Sequence, residues 1–155
     1  MKKSFSLIMI FSFIFLFIDQ LLIFYFCENF ILNESVILIK NFFSITLVHN
    51  TGAAFSILKN SRIFLIIIGV VSLFGILFYI IRLKKINNFD IFVFSLLIGG
   101  LLGNLIDRIF RCYVIDYLSF NFGNYYFPIF NFADVCIVVS IILMIINVLK
   151  EDLWK

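Results

Sequence analysis

Charge is scarce in this chain. Asp, Glu, Lys and Arg make up 14% of its 155 residues against 64% hydrophobic, and the mean hydropathy is +1.18. A soluble domain of this length cannot hide so much apolar side chain, so lipid is the solvent for much of it. The net charge of +3 is too small to argue for nucleic acid, and the basic residues sit at the ends of apolar runs rather than in one patch. Histidine occurs once, at His49, which excludes a zinc site built from several histidines and leaves no HExxH. No serine or cysteine has another candidate base, so Ser-His or Cys-His nucleophilic catalysis has little support. The three cysteines, Cys27, Cys112 and Cys136, match neither a metal spacing nor a CxxC pair and are expected to be free thiols. The 23 phenylalanines are best explained by drift among interchangeable apolar residues rather than by an aromatic binding box.

The apolar runs divide the chain into four expected spans, at about 4–26, 63–81, 89–110 and 130–149, each long enough to cross a bilayer. The first follows Lys2-Lys3 and is longer than a signal-peptide core. It has no small-x-small cleavage site after it, and bulky Phe24-Tyr25-Phe26 precedes Cys27, so it is expected to be a retained helix. Arg82, Lys84 and Lys85 follow the second run and mark a cytoplasmic end. Both termini are then cytoplasmic, with seven basic residues on that side against Lys40, Lys59, Arg62, Arg108 and Arg111 outside. The expected fold class is an all-α integral membrane protein forming one domain over 1–155, with outer segments at about 27–60 and 111–129. Phe43 to His49 alternates apolar and polar residues and predicts a half-exposed strand. Asn50-Thr51-Gly52 predicts a turn, and Ala53 to Ile57 a second strand or an interfacial piece. Gly99 and Gly103 form a small-xxx-small pair for close helix approach, within one chain or between two. The single proline, Pro128, stands just before the last span, where proline is tolerated.

Against this background the polar residues from 99 to 134 stand out. Asn104, Asp107 and Arg108 fall at i, i+3 and i+4 near the outer end of the third span. Asp116 lies in Val114-Ile115-Asp116, and Asn131 and Asp134 lie on the first turns of the fourth span. All converge at one depth, where buried charge is expensive. Arg108 is expected to pair with Asp107 or with another carboxylate across the site. Asp19 in the first span has a helix-packing hydrogen bond as an explanation at least as good as chemistry, and Asn50 taken alone is more often a turn residue than a site residue. Asp116 and Asp134 together allow acid–base chemistry. In a poorly solvated site two carboxylates share one proton, so one activates water while the other protonates a carbonyl oxygen. The partial positive charge at the helix N-terminus favours Asp134 as the ionised member, which leaves the proton on Asp116. Neither metal nor cofactor is required.

Five motifs carry a resemblance. They are Asp19-Gln20; His49-Asn50-Thr51-Gly52-Ala53-Ala54-Phe55-Ser56; Gly99-Gly100 with Gly103-Asn104-Leu105-Ile106-Asp107-Arg108; Val114-Ile115-Asp116; and Phe130-Asn131-Phe132-Ala133-Asp134. In this order and spacing the chain resembles the bacterial lipoprotein signal peptidase family, signal peptidase II. The resemblance implies a multi-pass inner-membrane aspartyl endopeptidase acting at the outer face. Such an enzyme removes the signal peptide from prolipoproteins by cutting before the diacylglyceryl-modified cysteine. It implies Asp116 and Asp134 as the catalytic pair. Asn50, Asn104, Arg108, Asn131 and Ala133 would line the site or hold substrate, and Asp107 and Asp19 would support it. It further implies an extracytoplasmic β cradle and a flap loop. The implied partners are the lipid-modified prolipoprotein and membrane lipid, for an enzyme expected to be a monomer. The chain departs from the family where a lysine usually follows Asp-Gln and a glycine often precedes Val-x-Asp; here stand Leu21-Leu22-Ile23 and Cys112-Tyr113. A small proton-coupled transporter is the alternative, although it would place its carboxylates near the midplane.

Overall fold

A computed structural model describes residues 2–53, 57–123 and 125–153. Ala54, Phe55 and Ser56 of the second motif, the loop residue Asn124 and the terminal Lys155 lie outside the described residues. Four helices, α1 (Lys2–Asn29), α2 (Arg62–Arg82), α3 (Asn88–Ile106) and α4 (Phe132–Leu153), carry windows apolar and long enough to cross a membrane. Four strands, β1 (Ser35–Ile39), β2 (Phe43–Asn50), β3 (Val114–Phe122) and β4 (Tyr125–Tyr126), form one antiparallel sheet in that order. The four expected spans and a small sheet beside them are both present, so all-α describes the spans and not the whole fold.

α3 is the central helix, packed against α1, α2 and α4. It begins on a capping box. The Asn87 side chain accepts from the Asp90 N–H at 2.9 Å, and the Asp90 carboxylate accepts from the Asn87 N–H at 3.0 Å. From Ile91 to Leu105 it is buried over most of its circumference, as its unbroken apolar sequence requires. The small-residue pair works within the chain. A Cβ on Gly99 would stand 2.7 Å from Phe15 Cβ, and one on Gly103 would stand 2.6 Å from the Asp19 carboxylate. Close packing of α1 on α3 thus depends on both glycines, and it buries Asp19 against α3 and the first turn of α4. α2 faces outward with Ile63, Phe64, Ile67, Val71 and Phe74 exposed, the pattern of a helix solvated by lipid.

α1 runs three residues past its expected end. Twenty-eight residues span about 42 Å at 1.5 Å per residue, more than a bilayer core of about 30 Å. The helix is thus longer than a span requires, which leaves room for Cys27-Glu28-Asn29 in its last turn. β2 matches the alternation seen in the sequence, and it pairs with β1 and β3; most of the piece expected at 53–57 lies outside the described residues. β3 could not be found by alternation because its first four residues are all buried. Ile45, Leu47, Ile115 and Tyr117 form a core with Ile23 of α1, and Phe26 stacks on Tyr117 at 4.1 Å. This core fixes the sheet on the C-terminal end of α1.

α3 does not continue as an α-helix to its expected end. From Asp107 to Arg111 the chain forms a π-helical turn, and Cys112 follows at φ +74°. A residue with a Cβ is strained there by roughly 1–2 kcal/mol, whereas glycine is not. Cys112→Val is therefore expected to lower thermal stability, while Cys112→Gly holds or raises it; melting curves of the purified variants in detergent check this. Cys27, Cys112 and Cys136 are all free thiols, and only Cys136 is buried.

Candidate active site

Asp116 is placed by the sheet. β3 is buried where it crosses β2, with Asp116 opposite Val48, and the carboxylate is 2% exposed. Its Oδ2 accepts from Asn50 Nδ2 at 2.9 Å and its Oδ1 from Asn131 Nδ2 at 3.0 Å. Asn50 ends β2, and its own Oδ1 accepts from the Gly52 N–H at 2.9 Å. It is thus at once the turn residue and the site residue that the sequence allowed.

Asp134 is placed by the start of α4. Asn131 caps the helix by accepting from the Asp134 N–H at 2.9 Å, and the Asp134 carboxylate accepts in return from the Asn131 N–H at 3.5 Å. The other Asp134 oxygen accepts from Asn104 Nδ2 at 2.7 Å. Asn131 Nδ2 donates in turn to Asn104 Oδ1 at 3.1 Å. Two asparagines from different helices therefore connect the two carboxylates, with the order Asp116, Asn131, Asn104, Asp134. Each carboxylate oxygen receives one donor, which leaves it a second lone pair for a proton or a water. Burial raises the Asp116 carboxyl from 3.8 to about 7, and the neighbouring Asp134 charge adds to the rise against the opposing hydrogen bond from Asn50.

The supporting residues divide. Arg108 does not pair with Asp107. Its guanidinium donates to the Asn104 carbonyl at 3.1 Å and the Gly52 carbonyl at 3.1 Å, tying the π turn to the loop after β2. Asp107 makes its ion pair with Arg111, four residues on, while the Arg108 guanidinium is taken up by backbone carbonyls. Among the described residues, Ala133 stands behind the cavity beside Asp134 rather than in its lining. Its side chain packs close to Gly103, and its N–H donates to Asp19 Oδ1 at 3.0 Å. Asp19 is buried and takes that bond together with one from Gln20.

A cavity of about 440 Å³ opens beside Asp134. Asn50, Asn104 and Arg108 supply its polar wall. Phe127, Pro128 and Ile129, with Val135, Val138 and Val139 on α4, supply an apolar wall on the other side. Asp116 stands outside this wall, held between Asn50 and Asn131. Such a site has room for an apolar chain against α4 and places polar donors on one side only.

Two residues near the site, Arg62 and Arg111, were missed by sequence reasoning, and Gln20 was read only as part of the Asp19-Gln20 motif. Arg62, at the start of α2, donates to the carbonyls of Arg108 and Ile109 at 2.7 and 2.8 Å and holds the π turn from outside. Arg111 and Gln20 join Asp107 and Asp19. The i, i+4 spacing of Asp107 and Arg111 was a usable signal. Nothing in the sequence ties Arg62 to the turn.

A family model described as signal peptidase (SPase) II matches residues 11–150. The chain is 43% identical over 122 residues to a lipoprotein signal peptidase of Clostridium tetani, covering 78% of each protein. It is 38% identical over 142 residues to one of Bacillus pumilus, covering 92% of each. Two solved structures of a bacterial membrane enzyme, at 32% and 33% identity, superpose with TM-scores of 0.85 and 0.82. The first comparison covers 94% of this chain and 88% of the other, and the second 92% of each.

Proposed function

The chain belongs to the signal peptidase II family, and on that premise we propose that Asp116 and Asp134 form the reacting pair of an aspartyl endopeptidase in the membrane. It removes the signal peptide of a prolipoprotein by cutting before the diacylglyceryl-modified cysteine. The observation that carries the reading is the pair of carboxylates braced by Asn50, Asn104 and Asn131 beside a cavity with one apolar wall. In the reaction Asp134, on the first turn of α4, takes a proton from water as the water oxygen attacks the scissile carbonyl carbon. Asp116 gives its proton to the carbonyl oxygen. Collapse of the tetrahedral intermediate returns a proton to Asp116 from the hydroxyl, while Asp134 protonates the leaving amine of the cysteine.

Arg108 uses two of its five N–H donors on the chain's own carbonyls, and the others are available to a substrate carbonyl. The apolar wall of α4 suits the acyl chains. The sheet acts as the cradle, and the outer loop acts as the flap. The protein works as a monomer in the bacterial inner membrane, with both termini cytoplasmic and the site at the outer face. The basic cluster Arg82, Lys84 and Lys85 supports this orientation. The transporter alternative has no comparable support, because the buried carboxylates Asp19, Asp107 and Asp116 gather with Asp134 at one end of the bundle.

Cleavage of a lipid-modified prolipoprotein by the purified protein in detergent tests the reading. Burial holds the proton on Asp116 up to about pH 7. kcat is accordingly expected to fall as pH rises past that value, as the general acid is lost. A profile flat from pH 6 to 9 would count against this pair.

A further inference from the structure

Two buried carboxylates take no part in the chemistry above, yet each sits at the same place relative to a reacting aspartate. Asp107 Oδ2 accepts from the N–H of Ile115, the residue before Asp116, at 3.1 Å. Asp19 Oδ1 accepts from the N–H of Ala133, the residue before Asp134, at 3.0 Å. The remaining oxygens of the two turn toward one amide. Gln20 Nε2 donates to Asp19 Oδ2 at 3.1 Å and to Asp107 Oδ1 at 3.4 Å, so its two hydrogens are divided between the carboxylates. Arg111 orients that amide by donating to Gln20 Oε1 at 2.9 Å while pairing with Asp107. A guanidinium only donates, so it fixes which end of the amide is oxygen.

We propose that Gln20 and Arg111 are positioning residues, which tie the backbone before Asp116 to the backbone before Asp134 and thereby hold the separation of the reacting pair. The inference rests on the assignment of that pair. β3 and α4 are different elements. The Asn131–Asn104 bridge joins them through side chains, with one bond from Asn131 to the Ile115 carbonyl, and their main chains meet farther along, at Leu118 and Phe130. The second connection runs from the Ile115 N–H through Asp107, Gln20 and Asp19 to the Ala133 N–H, and it works on the main chain. Two carboxylates buried this deeply, Asp19 at 1% and Asp107 at 0% exposure, would repel each other without a donor between them and a cation beside them. Arg111 is well suited to that role. Its side chain is 34% exposed, so it neutralises Asp107 while keeping part of its own hydration.

A merely structural cluster and a positioning one differ in what they change. Loss of the first lowers the amount of folded protein. Loss of the second lowers kcat in protein that remains folded, because a misplacement of about 1 Å costs about 10²-fold in rate. Gln20→Glu is isosteric. It keeps the acceptor for Arg111, but it replaces the donor to Asp19 and Asp107 with an oxygen. Arg111→Leu removes the cation at a partly exposed position, and Arg111→Lys restores a charge without the fork.

The test measures kcat and KM separately on a lipid-modified prolipoprotein, with the full-length variants in detergent and circular dichroism as the fold check. Gln20→Glu and Arg111→Leu are each expected to lower kcat by about 10²-fold with KM nearly unchanged. Arg111→Lys recovers most of the loss, and the double variant is no worse than the worse single. Wild-type kcat in folded Arg111→Leu overturns the proposal, as does a loss confined to KM. If Gln20→Glu does not fold, the two Arg111 variants decide alone. Activity in Asp116→Asn or Asp134→Asn would instead overturn the parent reading. Inactivity of those two beside full activity of Gln20→Glu and Arg111→Leu overturns this inference only.

Discussion

Asp116→Asn and Asp134→Asn are each expected to lower prolipoprotein cleavage by about 10³-fold or more, as removal of a proton-transfer group does elsewhere. An amide can neither take a proton from water nor give one to a carbonyl oxygen, so neither half of the reaction survives. The fold is expected to survive in both. Asparagine at 116 still accepts from Asn50 or Asn131, and asparagine at 134 keeps an oxygen for Asn104. Stability supplies a second reading of Asp116→Asn. The folded carboxyl holds its proton up to about pH 7 against 3.8 in an ordinary setting. Between those values the folded state binds a proton that the unfolded state has released, so stability contributed by the neutral form is lost as pH rises through the window. Asparagine has no proton to lose. The variant is therefore expected to melt higher than the parent at pH 8 and to approach it near pH 3. Inactivity with a raised melting point separates lost chemistry from lost structure. Cleavage at the parent rate by either variant would remove the proposed pair.

The bundle was legible because its code is simple. Runs of about twenty apolar residues mark the four spans, although the Asn87-x-x-Asp90 capping box that starts α3 reads only as a turn. Asp116, Asp134, Asn50, Asn104 and Asn131 meet in one hydrogen-bonded group. Their polarity in a hydrocarbon sequence was the signal, and it needed no knowledge of their contacts. What escaped were features with no period. β3 is buried on both sides at its start, so it reads as an apolar run instead of an alternation. The π turn has no mark in Asp107-Arg108-Ile109-Phe110-Arg111. Nor does the sequence show that Asp107 meets Gln20 and Arg111, or that Arg108 meets the Gly52 carbonyl. Arg111 and Gln20 are 91 residues apart in the chain, and only the packing of α1 on α3 brings them together. That packing depends in turn on Gly99 and Gly103, which were read correctly as small contacts before it was known what they admitted.

Asn131→Asp separates two duties that one side chain performs. Asn131 Oδ1 caps α4 by accepting from the Asp134 N–H, while its Nδ2 donates to Asp116 Oδ1, to Asn104 Oδ1 and to the Ile115 carbonyl. Aspartate caps a helix about as well as asparagine, so α4 is expected to begin where it does now. The bridge is reversed, because a carboxylate oxygen then faces three acceptors that had shared a donor. A further negative charge beside Asp116 also makes its ionisation harder, moving the pair away from the arrangement in which one member is charged. The expected result is a folded protein whose kcat falls by about 10²-fold or more, the scale of a misplaced reacting group. Asn131→Ala loses both duties. It forfeits the cap, worth about 1 kcal/mol, and strands buried acceptors at roughly 1–3 kcal/mol each, so its melting point is expected to drop well below that of Asn131→Asp. Calorimetry and single-turnover cleavage on the two variants decide between the duties. Parent-like cleavage by Asn131→Asp would show that the amide bridge between Asp116 and Asp134 is not needed for the reaction. A collapse in melting point equal to that of Asn131→Ala would show that Asn131 acts on the fold before it acts on the pair.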